Sequence, residues 1–435
     1  MSAAAPSESQ GSTPLPVFSV SSFILPPPPP PPLSLNHALL RDRPVWRRLR
    51  IRLGGTGFVP ATHASGSSNR RAAPKPIDLA QFGKFKTTTL EEAKSKLAAT
   101  LQKVGADVDS LLSTATAATK IDWDNIRDHD NASYVGGAVH PDQAASHIAA
   151  RQSGGCTNPA VRVEWRDLND QDRNGWIQAV KKLMELPASG AYSASGAKSR
   201  YDDLVAVHYQ MTESIHGVAQ FLLWHRYYLH LFEDLLRSEA GFTGPLPWWD
   251  ETRDAGNFAK APMYTSAYLG AAPLASNGQG FCITDGAFAN KQLTVGGTQC
   301  LARGVDEGAT SNCNQDFLNT CNSHPSFSDM AGCAELGPHA YGHNGIGAVM
   351  AGVPTSPNDP SFFLHHGFVD HAYRIWQIAD PNNRLTQING CADKANPCTA
   401  ATSGTVLGSQ GLRPDKTVGD VFDTTGGYLC YRYSY

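Results

Sequence analysis

Histidine is the residue type with the most distinctive chemistry in this sequence. Ten of the 15 histidines fall between residues 208 and 371. A lone histidine is more often a hydrogen-bonded core or surface residue than a metal ligand. Clustering changes that expectation, because several imidazoles close together can bind one ion. The first cluster contains His208, His216, His225 and His230, and the second, with His324 a little upstream, contains His339, His343, His365, His366 and His371.

Spacing decides which imidazoles of the second cluster can share a metal. An α-helix turns by about 100° per residue, so His339 and His343 lie about 40° apart and project from one face. His365 and His366 are adjacent and about 100° apart, so only one of them easily faces the same point. The second cluster is therefore expected to supply three imidazoles.

The first cluster needs an interruption between two of its histidines. His216 and His225 would lie about 180° apart on a continuous helix, which is too far round for them to share an ion. Gly217 predicts a break that leaves His216 in a loop and places His225 inside a helix over residues 221–236. His208 would come from a preceding helix, so this cluster also supplies three imidazoles.

The donor set narrows the choice of metal. Zinc proteases of the HExxH type need Glu directly after the first histidine, where this chain has Ala340. Diiron carboxylate bundles need Glu-x-x-His ligands, and no such motif accompanies these histidines. Sites built from imidazole alone suit copper or zinc. Six neutral imidazoles around two Cu(I) ions leave the charge of the ions uncompensated, which suits the binding of dioxygen.

Both clusters lie in motifs that resemble those of a known family. The stretch from His208 to Glu233, which contains HGVAQFLLWHRYYLHLFE, resembles the first copper motif of tyrosinases, catechol oxidases and molluscan-type haemocyanins. PHAYGH at 338–343, followed by NDPSFFLHHGFVD at 358–370, resembles the second. Two such motifs in the right order make the resemblance specific.

The resemblance covers most of the second half of the chain. It extends from Cys156 and Arg162 to Tyr431-Arg-Tyr433, which resembles the tyrosine motif that closes the catalytic domain. No further domain is expected after this motif, and the short, secreted fungal tyrosinase or catechol oxidase type is the most similar group. The resemblance implies a mainly α fold, in which a four-helix bundle holds a dinuclear copper site among loops and few short strands.

The resemblance also implies which side chains hold the two coppers. His365 and Asp370 are then expected to support the ligands structurally without binding copper themselves. His230 and His371 match no ligand position and are expected to pack in the core or to lie on the surface. The implied ligands are His208, His216 and His225 for one copper and His339, His343 and His366 for the other.

A phenol must lose its proton to be oxidised, so a base or a held water is needed near copper. Glu335, four residues before His339, matches the position of the family's water-holding glutamate and is the candidate catalytic residue. The alternative is a solvated carboxylate at the start of a helix.

Four further positions bear on the substrate. Ala340 stands where many tyrosinases carry an Asn that is thought to help deprotonate monophenols, while Asn344 follows the second ligand of the second copper. Val353 stands where plant catechol oxidases often place a bulky Phe, which predicts an open entrance. With Phe362, these are the candidate substrate-binding residues. Ala340 in place of Asn and Val353 in place of Phe favour oxidation of o-diphenols with weak or variable hydroxylation of monophenols.

The resemblance implies a copper-dependent polyphenol oxidase that uses O2 as co-substrate to oxidise o-diphenols (catechols) to o-quinones. Its expected partners are small phenolic or o-aminophenolic molecules. An o-aminophenol oxidase is the alternative that the same site supports. An oxygen carrier like haemocyanin is less favoured, because such chains repeat this unit or cover it with a further domain.

Composition differs along the chain. Residues 1–75 contain seven consecutive prolines at 26–32 and an arginine cluster, and they carry +7 of a total charge of −3, so the remainder carries −10. Polyproline is extended and builds no core, which predicts a disordered Pro/Arg-rich N-terminal extension. The near-neutral total argues against a nucleic-acid partner, and the lack of an apolar run of 18 residues argues against a membrane span.

The rest of the chain has a globular pattern. Thr89-Leu90-Glu91-Glu92 is a capping box, followed by apolar residues at spacings of three and four up to a stop at Gly105. Residues 76–155 are therefore predicted to form a helical region packed on the core. Residues 156–435 are predicted to form the copper domain, in which a second helix begins near Asn169.

The 9 cysteines lie between residues 156 and 430 without a CxxC pair, a spread typical of disulfides in a secreted protein. The glycosylation sequon at Asn131 agrees with secretion, although no clear signal peptide is present. An odd number leaves at least one thiol free. The expected pairs are Cys156–Cys430, Cys391–Cys398 and Cys313–Cys321.

Overall fold

The computed structural model describes residues 74–103 and 156–435. Asn131, Gly105 and nearly all of the predicted N-terminal extension lie outside these residues. The helices in the described part are α1 (Leu90–Lys103), α2 (Asp170–Glu185), α3 (Arg200–Ile215), α4 (Phe221–Ser238), α5 (Glu307–Thr310), α6 (Gln315–Asn322), α7 (Phe327–Ala334), α8 (Ala340–Ile346), α9 (Ser361–Ala379) and α10 (Pro381–Arg384). None of these helices has the length and apolar character that crossing a membrane requires.

The strands are short and pair into four small sheets. The strands in the described part are β1 (Pro76–Asp78), β2 (Ala160–Glu164), β3 (Pro247–Trp248), β4 (Gln279–Cys282), β5 (Gln292–Leu293), β6 (Gln299–Cys300), β7 (Ala302–Arg303), β8 (Val406–Leu407), β9 (Lys416–Thr417) and β10 (Tyr431–Tyr433). The sheet β10–β2–β3 is parallel, and β1–β4–β7, β5–β6 and β8–β9 are antiparallel. The predicted mainly α fold with few short strands is confirmed.

Polar caps set the starts of the early helices, as the sequence predicted. Thr89 accepts from the N–H of Glu92, whose carboxylate accepts from the N–H of Thr89, so the predicted capping box begins α1. The side chain of Asn169 accepts from the N–H of Asp172 and caps α2. These bonds satisfy backbone donors that the first turn of a helix leaves unpaired.

Four helices, α3, α4, α8 and α9, carry or adjoin the clustered histidines. α4 spans the predicted helix 221–236 and is buried over nearly its whole length. It packs against α9, where Phe232 and Phe363 stack with ring centroids 3.7 Å apart. Burial of both helices in one apolar core places their histidines in the interior, where water does not compete for them.

Four disulfides cross-link the described residues. The predicted pairs Cys156–Cys430 and Cys391–Cys398 are confirmed, and Cys282–Cys300 is a further one. The predicted pair Cys313–Cys321 is wrong, because Cys321 bonds to Cys333 on the neighbouring helix α7. Cys313 is the free, buried thiol that the odd count required.

The N-terminal part of the described chain docks on the helical domain at two places. β1 pairs with β4, with Pro76 opposite Phe281. α1 packs on α6, with Ala93 buried against Phe317 and the Cys321–Cys333 bridge and Leu90 packed beside them. The connecting residues therefore run across the surface between these two docking points.

Candidate metal centre

The first cluster is assembled by α3, α4 and the turn between them. His208 lies within α3 and His225 within α4. His216 directly follows α3 in extended backbone, and Gly217 turns the chain with a φ of 68°, a conformation that favours glycine. The predicted break therefore lets three imidazoles meet that a continuous helix would separate.

The second cluster comes from a kinked helical segment and from α9. A π-helical turn, Glu335–His339, leads directly into α8, so His339 and His343 lie one turn apart on one face. His365 and His366 follow each other within α9. Each of the six predicted copper ligands is at least nine-tenths buried.

Backbone carbonyl groups orient five of the six predicted ligands. In each of these rings Nδ1 lies 2.8–3.1 Å from a carbonyl oxygen. A carbonyl can only accept, so Nδ1 carries the proton and Nε2 keeps its lone pair. The carbonyl groups are those of Pro354 for His208, Thr212 for His216, Phe221 for His225, Glu335 for His339 and Met350 for His343.

The Nε2 atoms of these rings suit metal ions. Those of His208, His216, His225 and His339 are buried without a hydrogen-bond partner among the described residues, which is unusual for polar atoms unless an ion completes them. One ligand atom of each of His208, His216 and His225 lies within 4.8 Å of the others, and the same holds for the group His339, His343, His365 and His366. His343 Nε2 lies 3.2 Å from Nε2 of His366, about the separation of two ligands on one ion with bonds of about 2 Å.

The two clusters also face each other. The rings of His225 and His366 stack with centroids 4.4 Å apart, and those of His216 and His339 lie 6.3 Å apart. Ions held by the two clusters would therefore be neighbours, as a dinuclear site requires.

Burial keeps these imidazoles neutral. Desolvation lowers the pKa of His216 to about 4, with smaller opposing contributions from its backbone hydrogen bond. The same cause lowers the pKa of the other ligand candidates well below the ordinary value of histidine, namely His208, His225, His339, His343 and His366. A neutral imidazole is the form that binds a metal.

Comparison with known proteins assigns this arrangement to a family. Residues 198–379 match the family model of the common central domain of tyrosinase. A tyrosinase-like protein of Diaporthe leptostromiformis is 32% identical over 314 residues, which cover 64% of this chain and 80% of that protein. The chain belongs to the tyrosinase family. It is a copper oxidoreductase of the tyrosinase and polyphenol oxidase type, whose dinuclear copper site the two histidine clusters fit.

Other relatives agree with this membership. An N-acetyl-6-hydroxytryptophan oxidase of Emericella nidulans is 30% identical over 339 residues, which cover 63% of this chain and 92% of that protein. Among solved structures, a variant of a polyphenol oxidase from Thermothelomyces thermophila superposes with a TM-score of 0.59 at 26% identity, covering 67% of this chain and 96% of that one.

A carboxylate–histidine pair supports the second cluster of this tyrosinase-family site. His365 Nδ1 lies 2.7 Å from Oε1 of Glu251, and both side chains are fully buried. A Cβ on Gly342 would lie 2.5 Å from Cε1 of His365 and 2.8 Å from Oε2 of Glu251, so α8 lies directly against the pair. The ring of His365 lies 4.5 Å from that of His343. The pair therefore packs against α8 beside His343 and restricts how α8 presents that ligand.

Asp370, one helical turn after His366, ties the site to the family's tyrosine motif. It accepts from Nε of Arg226 and from the hydroxyl of Tyr433, each at 2.6 Å, and from the hydroxyl of Tyr431. Burial acts to raise the pKa of Asp370, but the charges of Arg226 and Arg162 and the hydrogen bonds from the two tyrosines together outweigh it, so the pKa lies below its ordinary value. The carboxylate joins α9, α4 and β10 and so holds the two histidine-bearing helices together.

The two histidines without a ligand role pack against aromatic rings. His230 lies with its ring 4.5 Å from that of Tyr428. His371 lies 4.3 Å from Trp248, and its Nε2 is 2.7 Å from the carbonyl oxygen of Tyr435. Their expected packing role agrees with these contacts.

Glu335 lies between the two clusters. Its Oε1 accepts from the N–H of Gly217 at 2.7 Å, directly beside His216, and its carbonyl accepts from Nδ1 of His339. Burial raises the pKa of Glu335 to about 7, although the hydrogen bond from Gly217 opposes the shift. A carboxyl group with such a pKa can exchange a proton at neutral pH.

Two of the candidate substrate-binding residues are buried among the ligands. Ala340 is fully buried at the start of α8. Phe362 is also fully buried, with its ring 4.1 Å from His366 and 5.3 Å from His208, so it contacts ligands of both coppers. Val353 is half-buried in the turn before Pro354, whose carbonyl orients His208.

The space in front of the ligands is covered by a phenyl ring. Phe85, which precedes α1, stacks on His343 with centroids 4.2 Å apart and an interplanar angle of 17°. The side chain of Asn344 accepts from the N–H of Phe85 and donates to its carbonyl oxygen, both at 2.9 Å. The open entrance expected from Val353 is therefore wrong, because the covering ring comes from the N-terminal part of the chain.

The sequence reasoning missed Phe85 and Glu251. Glu251 follows Trp248-Trp249-Asp250, and its partner His365 is 114 positions away, so the local sequence gives no signal for this pair. For Phe85 the sequence holds no signal, because its hydrogen-bond partner Asn344 is 259 positions away.

Proposed function

We propose that this chain is a polyphenol oxidase that uses O2 to oxidise o-diphenols to o-quinones. The facing histidine clusters support this most directly, because their Nε2 atoms can hold two coppers side by side. Two adjacent redox ions suit the removal of two electrons from one substrate. The alternative of an oxygen carrier finds no support among the relatives described above, which are named tyrosinase-like protein or oxidase.

Copper, when bound, supplies oxygen binding and electron transfer. Each o-diphenol loses two electrons and two protons to become an o-quinone, and two diphenols reduce one O2 to two waters. The protein must therefore hold the ions and take up phenolic protons.

Glu335 has the position and the pKa for this proton transfer. With a pKa of about 7, it is partly ionised at neutral pH and can both take up and release a proton. Among the described residues only the N–H of Gly217 donates to its carboxylate, at Oε1, which leaves Oε2 to accept a proton. A base matters more for a monophenol than for the more acidic o-diphenol, and Ala340 offers no amide to assist. These features support a preference for o-diphenols.

A second candidate is the oxidation of phenols that carry nitrogen, such as o-aminophenols. It is favoured by the relative from Emericella nidulans, whose name gives N-acetyl-6-hydroxytryptophan as its substrate. We also propose that the chain is secreted, which its four disulfides support, because such bonds persist in oxidising compartments.

Oxygen uptake by the copper-loaded protein tests these alternatives. The substrates are 4-tert-butylcatechol, 2-aminophenol and tyrosine, each with copper content measured in parallel. We expect the fastest uptake with the catechol, at one O2 for every two molecules oxidised. Faster uptake with 2-aminophenol would favour the second candidate, and reversible oxygen binding with none of the three consumed would contradict an oxidase.

A further inference from the structure

One lysine lies where the first histidine cluster borders solvent. His216 is 9% exposed, whereas the other five predicted ligands are 2% exposed or less. Gly217, which follows His216, is exposed, and a Cβ placed on it would lie 3.7 Å from Cε of Lys394. The side chain of Lys394 therefore lies over the turn at which the buried imidazoles come nearest to the surface.

The loop that carries Lys394, residues 389–401, is fixed to the turn between α3 and α4. The carbonyl of Cys391 accepts from the N–H of Ala219 at 2.7 Å, and the carbonyl of Ala392 accepts from Nε2 of Gln220 at 2.8 Å. A disulfide closes the same loop. Because loop and turn are bonded to each other, the backbone sets the place of Lys394 beside the first cluster.

The charge of Lys394 acts on groups of the site. Burial raises the pKa of Glu335 to about 7 and lowers that of His216 to about 4, and in both cases the charge of Lys394 contributes in the downward direction. Glu335 also accepts from the N–H of Gly217 at 2.7 Å, directly under the lysine. A positive charge therefore lies on the same side of the site as the candidate base.

The ammonium group of Lys394 is only partly engaged. Its Nζ lies 2.8 Å from Oε2 of Glu213, in a pair whose side chains are 48% and 89% exposed. Such an exposed ion pair contributes little, because water competes with both partners. An ammonium group has three donors, and among the described residues Glu213 accepts from one of them. Lys394 can therefore bind a second anion.

The shape of an o-diphenol indicates which part of it would meet this lysine. Its two oxygens lie on one edge of the ring and must reach the ions that the buried Nε2 atoms hold, so a substituent on the opposite edge faces solvent. Phe85 stacks on His343 at 4.2 Å but lies 5.9 Å from His216, so the first cluster is the less covered of the two. A substituent that leaves the site on this side passes Lys394.

We propose that Lys394 is a specificity-determining residue that binds the carboxylate of the substrate, so that o-diphenols with an acidic side chain are preferred. This inference rests on the proposed function, and it names the substrate class of the same site. Glu213 competes with the substrate for the ammonium group. The preference should weaken as salt is added, since the charges meet at the protein surface.

Two substrates of opposite charge isolate this contact. These are 3-(3,4-dihydroxyphenyl)propionate and dopamine, which share the catechol ring and a two-carbon chain and differ in the charge at its end. Lys394→Gln removes the positive charge, Glu213→Gln removes the competing carboxylate, and Lys182→Gln, exposed on α2, is the matched control. Any effect through Glu335 acts on both substrates, so the measured quantity is the ratio of kcat/KM for the acid to that for the amine.

We expect this ratio to fall about fivefold in Lys394→Gln and to rise about twofold in Glu213→Gln, as the range of exposed ion pairs predicts. The change should lie in KM and not in kcat, because the carboxylate is held equally before and during the reaction. Lys182→Gln should keep the wild-type ratio, and Lys394→Arg, which keeps the charge, should retain the preference. A wild-type ratio in both Lys394→Gln and Glu213→Gln would overturn the proposal.

Binding without turnover separates this inference from the proposed function. Calorimetry on the reduced, copper-loaded protein in the absence of O2 gives the Kd of the acid, which should rise about fivefold in Lys394→Gln and should rise with ionic strength in wild type. The salt series needs no variant and decides the matter if Lys394→Gln does not fold. Equal affinity of wild type for acid and amine would refute the role of Lys394. If binding depends on Lys394 but no diphenol is oxidised, the lysine site stands and the proposed function fails.

Discussion

The two nitrogens of an imidazole have different roles in this site. In His208, His216 and His225, Nδ1 donates to a backbone carbonyl, which fixes the ring and leaves Nε2 unpaired in the interior. Histidines outside the site pack differently, as His230 does against Tyr428. The sequence identifies the residue type and its spacing, while the carbonyl partners appear only in the folded chain.

Removal of one ligand tests the assignment at this scale. His343→Ala should lower bound copper from two ions per chain to about one, because three imidazoles hold each ion and two hold it weakly. His230→Ala, in α4, is the control and should keep both ions. Atomic absorption gives the copper content, with circular dichroism as the check on folding. Two coppers retained by His343→Ala would contradict the ligand set.

Protonation of the same rings predicts how the metal-free protein depends on pH. Burial lowers the pKa of His216 from 6.5 to about 4, so the unfolded chain binds protons first as the pH falls. The stability is therefore complete above pH 6.5 and declines as the pH falls towards 4, by at most about 1.4 kcal/mol per pH unit for each such histidine. Urea unfolding of the metal-free protein between pH 7.5 and pH 5 measures this. A free energy of unfolding that stays constant over that range would refute buried, neutral histidines.

At the scale of elements, the positions of α3, α4, α8 and α9 decide whether the imidazoles meet. The 3.6-residue period predicted that His216 must leave the helix and that His339 and His343 share a face, and the structure has both features. The approach of α8 to the Glu251–His365 pair was not predictable, since it depends on the absent side chain of Gly342 and on a partner in a distant turn.

A methyl group at Gly342 should disturb this approach. Gly342→Ala places a Cβ 2.5 Å from His365, and we expect a loss of about 1–3 kcal/mol of stability together with weaker copper binding, because the pair must move. The matched control is Gly175→Ala in α2, where a Cβ meets nothing within 4 Å and the change should stabilise the protein by up to about 1 kcal/mol. Urea unfolding compares the two. Equal changes in the free energy of unfolding would mean that α8 has space for a methyl group at position 342.

At the scale of the whole molecule, contacts between distant parts of the chain close the domain. The bridge Cys156–Cys430 joins residues 274 positions apart and lies beside the parallel pair β2–β10. Asp370 connects the tyrosine motif at that end to α4. The N-terminal part of the chain then packs against the outside of the helices and brings Phe85 over the ligands.

Disulfide removal should reflect these loop lengths. In the chain-entropy view, loss of Cys156–Cys430, with a separation of 274, costs about 5–6 kcal/mol, and loss of Cys391–Cys398, with a separation of 7, costs about 2–3 kcal/mol. The double Ala variants of each pair, compared by urea unfolding, should differ in that order. A larger loss for the short loop would show that local packing, and not chain entropy, dominates.

Much of this protein was determined by local pattern in the sequence. Helix periodicity and caps set the helices, and the motifs around the two histidine clusters predicted the family, because both depend on residues within one or two turns of each other. Contacts across long separations were decided only by the tertiary structure. Cys321 bonds to Cys333 because α6 and α7 pack together, Glu251 meets His365, and Phe85 covers His343, since such pairings depend on how whole elements dock and leave little trace in the spacing of residues.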